Sequence, residues 1–229
     1  MNSLIVLDLD GPILDGRYRH HACYAAILKE LGYAPLPLRQ YWAMKRAGIN
    51  RTAILVESKA VSAYDIFLRT WLERIEDRQY LALDRIQPGS RRVLEDWRKV
   101  GYSLALVTAR KNRRALEWQL NSLKLFALFE YVVNVRLAED GQGKAVAFQK
   151  ALNAMPRKAV VWVGDTEADV LAAKILDIPS VALTCGLRNR VFLHKQKPDF
   201  IYKNLEQFDK EYQWPKISQK KHGESSNYF

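Results

Sequence analysis

Two pairs of aspartates follow apolar runs that have the composition of buried strands. Asp8 and Asp10 end the run LIVLDLD, and Asp165 and Asp169 follow the run VVWVG. Side chains alternate along a strand with a period of two, so Asp8 and Asp10 fall on one face. Carboxylates so close repel each other and titrate together. The pattern therefore predicts a cation between them, or a proton held by one of them.

Two further residues could bind an anion near these carboxylates. Thr108 ends the apolar part of LALVTAR, where a hydroxyl and the first N–H groups of the next helix can bind an anion together. Lys144 stands in GQGKAVAF, at the predicted start of a helix, where the helix dipole disfavours a cation. A bound anion would explain the lysine at this position.

The charge balance of such a site predicts a divalent cation. Four carboxylates contribute up to four negative charges, a phosphate monoester adds about two more near neutral pH, and Lys144 returns one positive charge. Two like charges about 4 Å apart cost roughly 4 kcal/mol at an effective dielectric constant near 20. Carboxylate oxygens with room for water and phosphate favour Mg²⁺. The sequence has no cluster of histidine and cysteine that would indicate zinc.

The elements that must position these residues alternate between strand and helix. Short runs rich in β-forming residues are predicted as strands at 4–9, 103–108, 131–135, 159–164, 180–184 and 200–202. Several are almost continuously apolar, which is typical of strands buried on both faces. Helical patterns separate most of them. The sequence therefore predicts an α/β fold with a doubly wound parallel sheet, whose ligands bind at the carboxyl ends of the strands.

The segment between the first two predicted strands interrupts this alternation. It contains apolar stripes with helical spacing, one over 24–31 and one over 64–75. We predict a helical cap at 15–87, inserted into an α/β core made of 1–14 and 88–210. Pro88 and Gly89 mark the return to the core. A polar tail at 211–229 is predicted to be disordered after Trp214.

Composition narrows the class of protein. The 229 residues, 48% of them hydrophobic, are enough for one domain with an insert. No apolar run is long enough to span a bilayer, and Asp8 and Asp10 interrupt any signal-peptide pattern, so we expect a cytoplasmic protein with no membrane partner. Cys23 and Cys185 are expected to be buried thiols that form no disulfide framework.

The net charge of +11 is concentrated in one segment. Residues 85–124 hold ten lysines and arginines against Glu95, Asp96 and Glu117, a balance of +7. A basic surface can attract nucleic acid or smaller anions, or it can be a solvated face without a partner. The oligomeric state is left open by the sequence.

The motifs DLDGPILD, VTAR, GQGK and GDTEAD, in this order, resemble the four motifs of the haloacid dehalogenase-like superfamily. The resemblance extends from residue 4 to about residue 208, and the helical insert resembles the first-type cap of phosphoglycolate-phosphatase-like members. It implies a Rossmann-like core with the predicted strands in the order 5-4-1-2-3. It also implies Mg²⁺ as cofactor and a phosphorylated small metabolite as substrate.

The resemblance also implies roles for the site residues. Asp8 corresponds to the nucleophile that forms an aspartyl-phosphate, and Asp10 to the general acid and base. Asp165 would bind Mg²⁺ with Asp8 and the backbone carbonyl of Asp10. Asp169 would act at the metal site through water or by orienting Lys144, which offsets negative charge. Thr108 would bind the phosphoryl oxygens, and Ala109 and Arg110 beside it are candidates for substrate binding.

Several alternatives stay open at this stage. Asp10 favours phosphate-ester chemistry over dehalogenation, but a sugar phosphomutase would also keep it. The basic segment suggests a phosphatase for nucleic-acid ends, although a large cap would obstruct a polymer. Pro12 replaces a threonine found in many members, which stiffens the first turn and suggests a phosphate-binding regulatory protein with low turnover. Trp42, Arg46, Trp71 and Arg74 in the cap are candidates for substrate selection.

Overall fold

The computed structural model describes residues 3–135, 141–152 and 158–214. Its strands are β1 (Ser3–Leu7), β2 (Leu14–Asp15), β3 (Arg85–Ile86), β4 (Ser103–Thr108), β5 (Tyr131–Asn134), β6 (Lys158–Gly164), β7 (Ser180–Leu183) and β8 (Phe200–Tyr202). Within these residues, one parallel sheet has the order β5-β4-β1-β6-β7-β8. The predicted order 5-4-1-2-3 is observed, with β8 added at the edge beside β7.

Helices flank the sheet and fill the long insertion between β1 and β4. Those of the insertion are α1 (Arg17–Glu30), α2 (Leu38–Arg46), α3 (Arg51–Glu57), α4 (Tyr64–Arg74) and α5 (Arg78–Leu81). Those that follow are α6 (Ser90–Val100), α7 (Arg113–Ser122), α8 (Gly141–Leu152), α9 (Glu167–Ile175), α10 (Arg190–Lys195) and α11 (Leu205–Glu211). Short 3₁₀ turns lie at Val61–Ala63 and Phe126–Leu128.

The central strand β1 is buried on both faces, as its apolar run predicts. Ile5 and Leu7 belong to the core cluster that includes Trp97 of α6, while Leu4 and Val6 belong to the cluster on the other face, with Phe148 of α8. Alternate side chains of a strand point to opposite faces, so a strand covered by helices on both sides must be apolar throughout. This burial fixes β1 firmly, and with it the aspartates at its end.

The helices of the insertion form a hydrophobic cluster of their own. Its buried members come only from the insertion, and Tyr24 of α1 stacks on Tyr41 of α2 with ring centroids 4.4 Å apart. The segment is therefore helical, as its apolar stripes indicate. We did not expect the two short strands β2 and β3, which pair antiparallel at its base. The boundaries at 15 and 87 stay a prediction.

The turn after β1 forms with Pro12 in place. Gly11 has φ of +103°, a left-handed conformation that glycine adopts without strain, and its N–H donates to the carbonyl of Leu14. The Ser90 hydroxyl donates to the Pro12 carbonyl at 3.2 Å. The loss of a threonine hydroxyl at position 12 thus leaves the turn closed by other bonds.

The C-terminal region continues the core beyond the predicted boundary of the tail. Trp214 contacts Trp97 and Phe208, with ring centroids 5.2 and 5.1 Å apart, and Tyr212 also packs on Phe208. The remainder of the predicted tail, 215–229, lies outside the described residues. Within the described part of the chain, no helix combines the length and hydrophobicity needed to cross a bilayer, and Cys23 and Cys185 are free thiols.

A buried glutamine joins the base of the insertion to two loops of the core. Gln87 donates from its side-chain amide to the carbonyls of Gly11, at 3.0 Å, and Cys185, at 3.2 Å. We predict that Gln87→Leu lowers the free energy of unfolding by about 1–3 kcal/mol, because it removes the donor of a buried hydrogen bond to Gly11 and of a part-buried one to Cys185. Thermal melting should show a fall of several degrees.

The matched control is Gln40→Leu. The Gln40 amide lies on the exposed surface of α2, where it reaches Glu57 at 3.4 Å, so its loss should change the melting temperature little. Equal melting temperatures for Gln87→Leu and the wild type would contradict the structural role assigned to Gln87.

Candidate active site

A cavity of about 720 Å³ opens at the carboxyl ends of the sheet strands, between the α/β core and the helical insertion. The loops after β1, β4 and β6, together with α8, bring most of the predicted site residues to its lining. These are Asp8, Asp10, Thr108, Ala109, Arg110, Lys144 and Asp165. Residues far apart in the chain meet here because β1 lies between β4 and β6 in the sheet.

Lys144 is the buried cation at the floor of this cavity. Its Nζ lies 3.0 Å from Asp8 Oδ2 and 2.7 Å from Asp169 Oδ1, and the side chain is almost fully buried. Burial alone would lower the pKa of Lys144, but the charges of Asp169 and Asp8 raise it above its usual range. Lys144 is therefore charged at neutral pH and holds two carboxylates in place.

Asp169 is held by the first turn of α9. Its Oδ2 accepts hydrogen bonds from the Thr166 hydroxyl at 2.7 Å, the Thr166 N–H at 3.2 Å and the Asp165 N–H at 3.3 Å. Its Oδ1 faces Lys144. Of the two roles that the sequence left open for Asp169, this geometry favours orienting Lys144.

Three buried carboxylates could hold a cation. Asp8, Asp165 and Asp169 each place one oxygen within 4.8 Å of the others. Asp165 Oδ1 is buried and has no hydrogen-bond partner within the described part of the chain, while Asp165 Oδ2 accepts from the N–H of Leu187. A buried carboxylate oxygen without a partner is costly unless a cation or a donor satisfies it. These residues therefore fit a hard divalent cation such as Mg²⁺.

The pKa values of Asp8 and Asp165 reflect their burial close to other carboxylates. Burial raises the pKa of Asp8 to about 7, with Lys144 opposing the rise and the charges of Asp169 and Asp10 adding to it. Burial, together with the charges of Asp8 and Asp169, raises the pKa of Asp165 well above its usual range. Without a cation, the site binds protons more readily than isolated carboxyl groups do.

The Asp165 carboxylate packs against the backbone of Gly11 and Gly186, where a side chain would not fit. A Cβ atom on Gly186 would lie 2.0 Å from Asp165 Oδ2, and one on Gly11 would lie 2.1 Å from Asp165 Cγ. Real Cβ atoms do not approach other atoms so closely. The two glycines thus allow the loops after β1 and β7 to close around this carboxylate.

The carboxylate of Asp10 contacts arginines rather than the other carboxylates. Arg19 Nη2 lies 2.6 Å from Asp10 Oδ1, and Arg110 donates from Nε at 2.6 Å and from Nη2 at 2.8 Å. Although burial acts to raise it, the charges of Arg110 and Arg19 hold the pKa of Asp10 well below its usual range. The predicted metal contact of Asp10 runs through its backbone carbonyl, and it stays a prediction.

Sequence reasoning missed Asp84, which completes this network. Its side chain is fully buried and lies 2.9 Å from Arg19 Nε and 3.1 Å from Arg110 Nη2. The Gln119 amide donates to it at 2.9 Å. Asp84 precedes β3 and belongs to none of the four motifs. The only signal in the sequence is its position, as an acidic residue just before the chain returns to the core. Two aspartates and two arginines therefore balance each other between insertion and core.

The candidate specificity residues of the insertion divide into two groups. Trp42 and Trp71 line the cavity. Arg46 instead donates to the carbonyl of Thr184 at 2.5 Å, and Arg74 pairs with Glu30 at the surface. The first group can contact a substrate, whereas Arg46 fastens the insertion to the core.

The sequence model of a protein family, the haloacid dehalogenase-like hydrolases, matches residues 3–177 of this chain. The chain belongs to this family. A phosphoglycolate phosphatase of Pseudomonas syringae is 26% identical over 216 residues, which cover 89% of this chain and 77% of that protein. A pyrophosphatase, PpaX, of Bacillus mycoides is 29% identical over 110 residues, 47% of this chain and 51% of that protein.

Solved structures agree with the fold. A haloacid dehalogenase-like hydrolase from Streptococcus pneumoniae superposes with a TM-score of 0.69 at 20% sequence identity, covering 90% of this chain and 95% of that one. Three predictions are thereby confirmed: the family, the doubly wound α/β core with its helical insertion, and an enzyme of the phosphatase-type hydrolase class.

The raised pKa of Asp8 generates a pH-dependent prediction. Protons compete with a cation for carboxylates, and Asp8, with a pKa of about 7, is protonated below neutral pH and ionised above it. We predict that saturating MgCl₂ raises the melting temperature more at pH 8 than at pH 5.5, because binding the folded state stabilises it. An equal shift at both pH values, measured by thermal melting, would contradict this account of the carboxylate cluster.

The close contact at Gly186 generates a second prediction. Gly186→Ala should displace the Asp165 carboxylate and weaken Mg²⁺ binding at least about tenfold, since an added Cβ would overlap Asp165 Oδ2. Titration of the melting temperature with MgCl₂ measures the change. Circular dichroism before the titration separates this effect from unfolding, and an unchanged titration curve in a folded variant would refute it.

Proposed function

We propose that the protein is a Mg²⁺-dependent phosphatase that hydrolyses a small phosphorylated metabolite through phosphorylation of Asp8. The observation that carries this proposal is the meeting of Asp8, Thr108 and Lys144 at the floor of one cavity, beside Asp165. The similarity to proteins named phosphoglycolate phosphatase and pyrophosphatase supports a small phosphorylated substrate.

Asp8 acts as the nucleophile in the first half of the reaction. A carboxylate oxygen of Asp8 forms a bond to phosphorus while the ester bond breaks, and the leaving oxygen keeps the electron pair. Lys144 holds the attacking carboxylate and offsets its charge, and the Thr108 hydroxyl donates to a phosphoryl oxygen. Asp8 and Asp165, with the backbone carbonyl of Asp10, would hold Mg²⁺, which supplies charge neutralisation when bound.

Asp10 transfers the protons in both halves of the reaction. It gives a proton to the leaving oxygen and then takes one from a water molecule, whose oxygen bonds to phosphorus as the bond to Asp8 breaks. Inorganic phosphate and the free Asp8 carboxylate result. The contacts of Asp10 with Arg19 and Arg110 hold it as an anion at rest. Asp10 must therefore take up a proton from solvent as it exchanges these contacts for the leaving oxygen, and this is the proton that it gives. Because Arg19 belongs to α1, a shift of the insertion would bring about this exchange.

The alternative of a nucleic-acid-end phosphatase has less support. Arginines of the basic segment 85–124 pair with acids in several places: Arg92 with Glu206, Arg98 with Glu130 and Arg113 with Glu117. Glu206 and Glu130 lie outside the segment, so their pairs reduce the surplus of positive charge available to a polymer. The helical insertion also forms one side of the cavity. Both observations favour a small substrate.

The proposal predicts a loss of turnover on removal of the nucleophile. The wild type should release phosphate from phosphoglycolate with MgCl₂ and lose this activity in excess EDTA. Asp8→Asn should lower kcat by more than about a thousandfold, because an amide does not displace the leaving group. Phosphate release over time measures both effects.

The matched control is Asp65→Asn, an exposed aspartate of α4 outside the cavity, which should retain the wild-type rate. Retained turnover in a folded Asp8→Asn protein would refute the assignment. Metal-dependent binding of phosphate by a wild type that releases no phosphate from any ester would instead favour the regulatory alternative.

A further inference from the structure

The cavity is larger than hydrolysis of a very small ester requires. Its volume is about 720 Å³. Phosphoglycolate has about nine non-hydrogen atoms, and at the roughly 30 Å³ that each water occupies in the liquid they would fill about 270 Å³. More than half of the space therefore remains, and its lining includes α1, α2, α3 and α4 of the insertion. This space can hold a leaving group much larger than glycolate.

The insertion lines this space with aromatic rings. The His20 ring centroid lies 5.9 Å from that of Trp42 and 5.6 Å from that of Trp71, and all three side chains line the cavity. Burial lowers the pKa of His20 well below its usual range, so this ring is neutral at pH 7. Its Nδ1 is buried and has no hydrogen-bond partner among the described residues. Aromatic faces of this kind stack on planar rings.

Arg51, the first residue of α3, adds hydrogen-bond donors to the same wall. Its Cζ lies 6.0 Å from the ring centroid of Trp71, and among the described residues its guanidinium makes no ion pair or hydrogen bond. Three other arginines at the cavity are matched by acids: Arg19 and Arg110 by Asp10 and Asp84, and Arg188 by Glu167. A planar guanidinium both stacks on rings and donates to acceptors on a ligand.

Packing within the insertion explains only part of this arrangement. Trp71 is buried and stacks on Phe67 with centroids 5.9 Å apart, so one side of it belongs to the hydrophobic cluster of the insertion. Trp42, however, is only half-buried. Among the described residues, packing gives Arg51 a ring contact with Trp71 but no ion pair or hydrogen bond, and it gives His20 Nδ1 no hydrogen bond. A ligand that offers both a flat ring and hydrogen-bonding atoms would satisfy them.

We propose that the substrate is a phosphate monoester whose leaving group carries a planar heteroaromatic ring with hydrogen-bond acceptors, bound by Trp42, Trp71 and Arg51. This inference rests on the phosphatase function proposed above and names the class of its substrate. The ester phosphate lies at Asp8 and Lys144, and the ring lies against the insertion.

A matched pair of substrates tests the ring. A nucleoside 5′-monophosphate and ribose 5-phosphate share the sugar and the ester, and they differ in the base. With MgCl₂, the full-length protein should show kcat/KM at least about tenfold higher for the nucleotide. The kcat/KM for phenyl phosphate, compared with that for the nucleotide, tells whether the preferred ring is attached directly to the ester oxygen or through a sugar. Equal or better hydrolysis of ribose 5-phosphate than of both ring-bearing esters would overturn the inference.

Variants test whether the named residues bind the ring. Trp42→Leu and Arg51→Gln should each lower the ratio of kcat/KM for the ring-bearing ester over ribose 5-phosphate by about tenfold. The chain offers a matched control, because Arg78 lies over Trp118 at 5.2 Å and neither residue lines the cavity. Trp118→Leu and Arg78→Gln should keep the wild-type ratio. An unchanged ratio in Trp42→Leu and Arg51→Gln would overturn the inference.

Binding measurements separate this inference from the proposed phosphatase function. If the wild type hydrolyses none of these esters, the phosphatase proposal fails, and calorimetry on Asp8→Asn with MgCl₂ still tests the ring. At least tenfold tighter binding of the nucleoside monophosphate than of ribose 5-phosphate would support the aromatic subsite. Equal affinity for the two would overturn it.

Discussion

The architecture of the site depends on one buried lysine among carboxylates. Lys144, in α8, contacts both Asp8, which follows β1, and Asp169 of α9. A single ammonium group therefore links the end of β1 to two helices on one face of the sheet. Two acids side by side in a buried place would repel each other strongly. Lys144 offsets part of that repulsion, and Asp165 Oδ1 still lacks a hydrogen-bond partner among the residues that the structure describes. The remaining negative charge would favour binding of a cation at this site.

A second charge network controls how the insertion meets the core. Arg19 from α1 and Arg110 from the loop after β4 share Asp10 and Asp84, so the acid assigned to proton transfer is also a contact between the two parts. Breaking one member would leave a buried charge unmatched, which is expensive. If Asp10 transfers protons as proposed, substrate binding would have to rearrange the whole network rather than one contact. In this way the position of the insertion and the readiness of Asp10 are coupled.

The sequence predicted the parts of the protein whose signal is local. Continuous apolar runs identify β1, β4 and β6, and the aspartates, Thr108 and Lys144 follow at fixed places in short motifs, so the core and the meeting of these side chains at one end of the sheet could be predicted. Asp84 could not be predicted, because it is defined by pairing with Arg19 and Arg110, which lie far from it in the chain. The ribbon of β2 and β3 was missed for a related reason: two-residue strands leave no periodic pattern.

The carboxylates and the aromatic residues of the cavity are positioned by different parts of the fold, and this difference bears on specificity. The carboxylates stand at the ends of strands buried on both faces, where small displacements would disturb the whole core. The aromatic wall stands on helices with a separate hydrophobic cluster, joined to the core by a few contacts such as Arg46 with Thr184 and Gln87 with Gly11. Substitutions in this wall can change the leaving group that fits without moving Asp8 or Lys144. Under the proposed function, the residues of reaction thus stand on the core, and those that would select the substrate stand on the insertion.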